Sequence, residues 1–189
     1  MTTTRGALAF FLALLCAVLA VQGRASAAER RAPAPGEYEV KAAFVYNFIN
    51  FVEWPSDRGD PVRLCVLGEL PDAAAFDRLN GREVRGRRLA VVPLRAVGDV
   101  RSCDILFLAD HLPHQLPDIL ARLQGNPTLT ISDTEGFARR GVMINLFLEQ
   151  KRVRFEVNTD AARAAGLGIS SKLLRLASKV YSAGAGGER

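Results

Sequence analysis

The chain has 189 residues, 49% of them hydrophobic, and a formal net charge of +5. That is enough apolar material for one medium core, so gross disorder is excluded and two full domains do not fit comfortably. The mild charge excess is almost wholly arginine, since Lys41, Lys151, Lys172 and Lys179 are the only lysines; it demands no nucleic acid, and no nucleic-acid partner is expected.

Arg5 precedes an apolar run from Gly6 to Val21, and Ala25-Ser26-Ala27 follows after a short polar step. A positive start, an apolar stretch too short to span comfortably and a small-x-small site describe a secretory signal peptide, residues 1–27. Cleavage is expected after Ala27, giving a mature chain of about +3 because Arg5 and Arg24 leave with the segment. The rival is a signal anchor that stays in the membrane. Cys16 follows the bulky Leu15, so a lipoprotein site is rejected. Residues 28–36 are charged and Pro-rich and read as a flexible leader.

Residues 37–182 read as a single domain, with a disordered tail over 183–189. From Glu37, apolar residues at Val40, Phe44, Phe48 and Phe51, widened by Val45, Ile49 and Val52, predict a nearly all-round apolar helix buried against a sheet and ended by Pro55. Val62 to Gly68 predicts a short strand, Ala73 to Leu79 a helix stopped by Asn80-Gly81, and Leu89 to Leu94 a further strand. Arg82, Arg85, Arg87 and Arg88 form the densest basic cluster, read either as a solvated strand edge or as a docking patch for an acidic partner. Cys103 to Leu108 suits a central strand buried on both faces. A helix is predicted over His114 to Leu123, a strand over Thr128 to Ile131, and a turn over Asp133 to Arg140.

The stretch from Gly141 to Val180 carries the strongest signals. Val142, Ile144, Leu146 and Leu148 share one face at period two, as do Val153, Phe155 and Val157 after the polar link from Glu149 to Arg152, which predicts an antiparallel hairpin. Asn158 or Thr159 can cap an Ala-rich helix stopped by Gly166 and Gly168. Ser170 can cap a last helix, stapled by Ile169 and Leu174 and docked through Leu173, Leu176, Ala177 and Val180. Alternating strands and helices imply a three-layer α/β sandwich, its mostly parallel central sheet closed by the C-terminal antiparallel hairpin.

Cys65 and Cys103 remain in the exported chain. An even count in an oxidising compartment favours a disulfide; the alternative is two buried thiols. Strand ends carry Glu69, Asp110 and Asp133, which could converge for acid–base work or simply cap the next element. Pro113 spoils His111 and His114 as a helical zinc pair. No nucleophile elbow, P-loop or dinucleotide fingerprint occurs. No catalytic residue, metal or cofactor is expected, and a binding or regulatory module is the reading of the chemistry alone.

Three pieces of the chain resemble the YfiR-like family of small exported bacterial proteins. They are Lys41-Ala42-Ala43-Phe44 through Phe51-Val52-Glu53-Trp54-Pro55, Ser132-Asp133 through Phe137 with Gly141 to Asn145, and Val153 to Val180. Val142 replaces a glycine of the family pattern. The resemblance implies a periplasmic repressor that binds the periplasmic sensor domain of an inner-membrane diguanylate cyclase and is sequestered by an OmpA-like outer-membrane lipoprotein, controlling cyclic-di-GMP synthesis and biofilm formation. It also implies that cysteine pairing matters. Cys65 and Cys103 fit one pair, and Asn145 stands where a second pair would need a cysteine. The expected partner surface is the hairpin and the helix after it, with Ile144, Glu156, Ala161, Ala162 and Ala165; the other reading of these residues is core closure. A small-ligand sensor without a cyclase and a homodimer through the hairpin edge are the alternatives.

Overall fold

The computed structural model describes residues 36–56, 59–109 and 112–182. The expected signal peptide, all but the last residue of the leader, Asp110, His111 and the tail lie outside the described residues. Helix α1 (Glu37–Phe48) runs through a 3-10 turn into the two-residue strand β1 (Val52–Glu53). Then come β2 (Val62–Leu67), α2 (Ala73–Asp77), β3 (Glu83–Val84), β4 (Arg87–Leu94), β5 (Ile105–Leu108), α3 (Leu116–Arg122) and β6 (Leu129–Ser132). The last third is β7 (Ile144–Glu149), β8 (Arg152–Asn158), α4 (Thr159–Ala164), β9 (Gly168–Ile169), α5 (Ser171–Leu174) and β10 (Lys179–Tyr181).

Eight strands form one sheet in the order β10-β8-β7-β6-β5-β2-β4-β3. The middle, from β4 to β7, is parallel, and β7–β8 is the antiparallel hairpin. Side chains of a strand leave on alternate faces, and both faces are covered. Leu64, Val66, Ile105, Phe107 and Ile131 belong to a core shared with α1, α2 and α4, while Cys65, Leu67, Leu106 and Leu108 belong to a second core shared with α3. That is why the central strands read as unbroken apolar runs. The predicted α/β sandwich is what the chain forms.

Cys65 in β2 and Cys103, two residues before β5, are joined by a disulfide with their Cα atoms 5.8 Å apart. Both cysteines are 0% exposed.

The arginine cluster sits on the β3–β4 hairpin at the sheet edge, with Arg82, Arg85 and Arg88 exposed as the solvated-edge reading expects, and the side chains also make local contacts. Arg82 lies over the Tyr46 ring at 4.3 Å, Arg85 donates to the Val52 carbonyl and covers Trp54, and Arg88 faces Asp60 at 3.9 Å. Three of the four side chains are thus spent fastening the β3–β4 hairpin to neighbouring segments.

The chain's end departs most from expectation. Ser170 does cap a helix, accepting from the Lys172 amide, but α5 is a single turn. Leu176 is 66% exposed and Val180, 38% exposed, lies in β10 instead of on a docked helical stripe. The Ser178 amide donates to the Phe155 carbonyl, and β10 then pairs in parallel with β8. Backbone pairing with the open hairpin edge outcompetes further helix. Upstream, Ile169 pairs with Val52 and Gly168 with Glu53, so β9 and β1 form a separate two-stranded sheet. A Cβ at Gly168 would come within 3.2 Å of the Glu53 Cβ.

The β7–β8 turn places Gln150 and Lys151 at φ +49° and +63°. Two successive left-handed residues make a type I′ turn, which normally selects Asn-Gly. Replacing Gln150 with Asn and Lys151 with Gly is therefore expected to raise stability by about 1 kcal/mol, read as a higher urea midpoint with an unchanged slope.

A candidate binding cleft at the carboxyl edge

β6 pairs with β7 only at Ile131–Ile144 and Ser132–Asn145, whereas β7 and β8 pair along their whole length. Residues Leu146 to Glu149 therefore overhang the carboxyl edge of the parallel sheet, the edge where ligands gather in open α/β folds. Helix α1 supports the overhang: Phe155 of β8 packs on Phe44 at 5.9 Å and on Phe48 at 5.0 Å. A cleft of about 570 Å³ opens between the hairpin, the start of α1 and the loop after β6.

Lys41 and Asp133 form its floor. Their side chains are 5% and 2% exposed, with Nζ 2.7 Å from Oδ2, and Lys41 also reaches Glu37 at 2.5 Å. The Tyr38 hydroxyl donates to the same Oδ2 at 3.0 Å. Burial by itself would lower the Lys41 pKa, but hydrogen bonds to Asp133 and Glu37 outweigh it and hold the ammonium above its ordinary value. Burial, then the Asp133 charge and hydrogen bond, pushes the Tyr38 hydroxyl up to about 12. On the hairpin side, Asn145 is 1% exposed. Across the strand pair, Glu156 accepts from the Tyr181 hydroxyl at 3.1 Å; burial and that carboxylate raise the Tyr181 pKa.

The expected site residues separate in space. Ile144 is 0% exposed and Ala162 1% exposed, both inside the larger core, so neither presents surface. Ala161 and Ala165 are half-buried and line a different groove, facing Leu120 and Met143. Glu156 is half-buried on the cleft side, because Phe155 and Val157 turn inward. Of the three strand-end carboxylates, Asp133 lies in the cleft floor, Glu69 is exposed away from it, and Asp110 is outside the described residues. His114 is exposed, and no group of three His, Cys, Asp or Glu able to hold a metal occurs among the described residues.

Sequence reasoning missed Lys41 as a site residue. The signal was present: it is the only charged residue between Val40 and Phe51 in an otherwise apolar helix. A lone charge on a buried helix requires a partner.

The domain is thus an α/β sandwich with a polar cleft under an overhanging hairpin. The chain belongs to the YfiR/HmsC-like family, whose profile it matches over residues 38–178; that family comprises periplasmic regulators in cyclic-di-GMP signalling. The pieces of sequence that carry the resemblance meet here: Lys41 bonds Asp133, and Phe48 packs on Phe155. Among solved structures, the chain is similar to a conserved domain protein from Vibrio cholerae O1 biovar El Tor, with a TM-score of 0.53 at 12% identity over 77% of this chain and 60% of that one. It is also similar to an ABC domain from Streptococcus pneumoniae crystallised with L-Trp, with a TM-score of 0.51 at 9% identity over 76% and 60%. The chain thus spans about 60% of the length of these two proteins, and at such identity the likeness is one of fold. No helix among the described residues is long and apolar enough to cross a membrane.

Proposed function

We infer that the protein represses an inner-membrane diguanylate cyclase by binding the periplasmic sensor domain of that enzyme, and that an OmpA-like outer-membrane lipoprotein relieves the repression by sequestering it. The protein acts without catalysis or cofactor. It needs only to bind the inactive state of the cyclase more tightly than the active one, and about 3 kcal/mol of preference would shift the balance more than a hundredfold. The observation that carries this reading is family membership over residues 38–178, a span that includes the overhanging hairpin. The contact surface is centred on Glu156 in the cleft wall; Ala161 and Ala165, in their separate groove, and the buried Ile144 and Ala162 lie outside it.

Glu156→Lys is the test. The side chain leaves the sheet opposite Phe155 and Val157, so the variant should fold and be exported normally while cellular cyclic-di-GMP rises several-fold. Wild-type cyclic-di-GMP with normal export would remove the hairpin face from the reading. Recovery of no membrane cyclase with the tagged protein from envelope extracts would remove the reading itself. A small-ligand sensor without a cyclase is the second reading, favoured by the preformed polar cleft, and would show as ligand-dependent thermal stabilisation in that same case.

A further inference from the structure

Two acceptors lining the carboxyl-edge cleft have no donor: Oδ1 of Asp133 and Oδ1 of Asn145. The Asp133 side chain is 2% exposed and Asn145 is 1% exposed. A buried acceptor left without a donor costs about 1–3 kcal/mol, and leucine would fill the Asn145 position without that cost. The charges around them are also unbalanced. In the interior, Asp133 and the half-buried Glu156 face the single ammonium of Lys41, while the rim carries Glu37 and Glu135 against Arg139 and Lys179. The interior is short of one positive charge and the rim is even.

A metal ion matches this poorly. Calcium takes about six to eight oxygens, no cluster of three metal-ligating side chains occurs among the described residues, and the other oxygen of Asp133 already holds an ammonium. A group with one positive charge and several N–H donors makes good both deficits at once. We propose that the cleft binds a protonated amine or guanidinium, whose N–H groups donate to Asp133 Oδ1 and Asn145 Oδ1 while Glu156 supplies attraction from the wall. The group arrives either as a free alkylamine or as a lysine or arginine side chain of a protein partner. This does not depend on the cyclase reading.

The test is a two-dimensional NMR titration of the purified protein, following the Asn145 side-chain amide, which is assigned by its loss in Asn145→Leu, together with the backbone amides of residues 133 and 145, which report binding in every variant. The probes are n-butylammonium and n-butylguanidinium chloride in one arm and capped tripeptides with a central lysine or arginine in the other. The Asn145 signals should shift saturably. Binding should weaken about tenfold or more in Asn145→Leu and in Glu156→Gln, and tighten several-fold in Asn145→Asp. Tighter binding of the simple cations assigns a free amine; tighter binding of the tripeptides assigns a partner side chain. Absence of a saturable shift with every probe, equal affinity in Asn145→Leu, or a shift produced by calcium chloride in place of the amines overturns the proposal.

Discussion

Lys41→Met alone is expected to lower the unfolding free energy by about 3–5 kcal/mol, because it strands the Asp133 carboxylate in a site where its side chain is 2% exposed. Against a total stability of about 5–15 kcal/mol, that loss decides whether the protein stays folded on warming. Each kcal/mol moves the melting temperature by about 2–4 °C in a domain of this size, so a fall of about 10 °C is the readout. Lys41→Met combined with Asp133→Leu should recover most of it, since an apolar pair of similar volume leaves no charge uncompensated. A double variant no more stable than Lys41→Met would locate the cost in lost packing instead. The pair also fixes a pH dependence. Lys41 and Tyr38 both have raised values in the folded state, so the native protein holds these protons more tightly than the unfolded chain. Their contribution is complete below about pH 10, where the unfolded groups are still protonated, and is lost as pH rises towards about 12, the folded value of Tyr38. Urea midpoints should therefore hold from neutrality to about pH 10 and then fall, less steeply in Tyr38→Phe.

The second large effect is that of the disulfide. Replacing both Cys65 and Cys103 with alanine opens a cross-link between residues 38 apart in sequence, which loop-closure entropy values at about 4 kcal/mol. The unfolded variant is also more expanded, so the urea slope should steepen while the midpoint drops. In the wild type both cysteines are fully buried, and exchange requires a thiolate to reach a sulfur. Reduction by dithiothreitol should then proceed only as fast as the chain opens. Rapid reduction of the native protein, without loss of its tertiary signal, would show a bond that responds to redox conditions while the fold stands.

Much of the scaffold was legible because its signals are local. The runs at Val62 to Leu67 and at Ile105 to Leu108 announce buried strands, and the alternation through Leu146 and Phe155 announces the hairpin. Capping by Asn158 and Ser170 was equally plain, since a side-chain oxygen bonding an amide two or three residues on needs nothing distant. What stayed hidden depends on partners remote in sequence. Strands β1, β9 and β10 are two or three residues long, too short to show a period, and exist because another strand edge is there to meet them. Leu176 and Val180 keep helical spacing and still belong to no helix. The Lys41–Asp133 pair joins residues 92 apart; each was visible alone, and nothing in either neighbourhood names the other.

The small sheet between Val52–Glu53 and Gly168–Ile169 works as a clasp. It buckles the exit of the first helix to the approach of the final turn, so the two extremities of the domain share one fastening. A truncation after Leu167 would release both at once: the opening helix loses its anchor although every residue of it is still present. Proteolytic trimming from the carboxyl side should accordingly strip β10 from β8 first and then, on passing Gly168, loosen the opposite terminus.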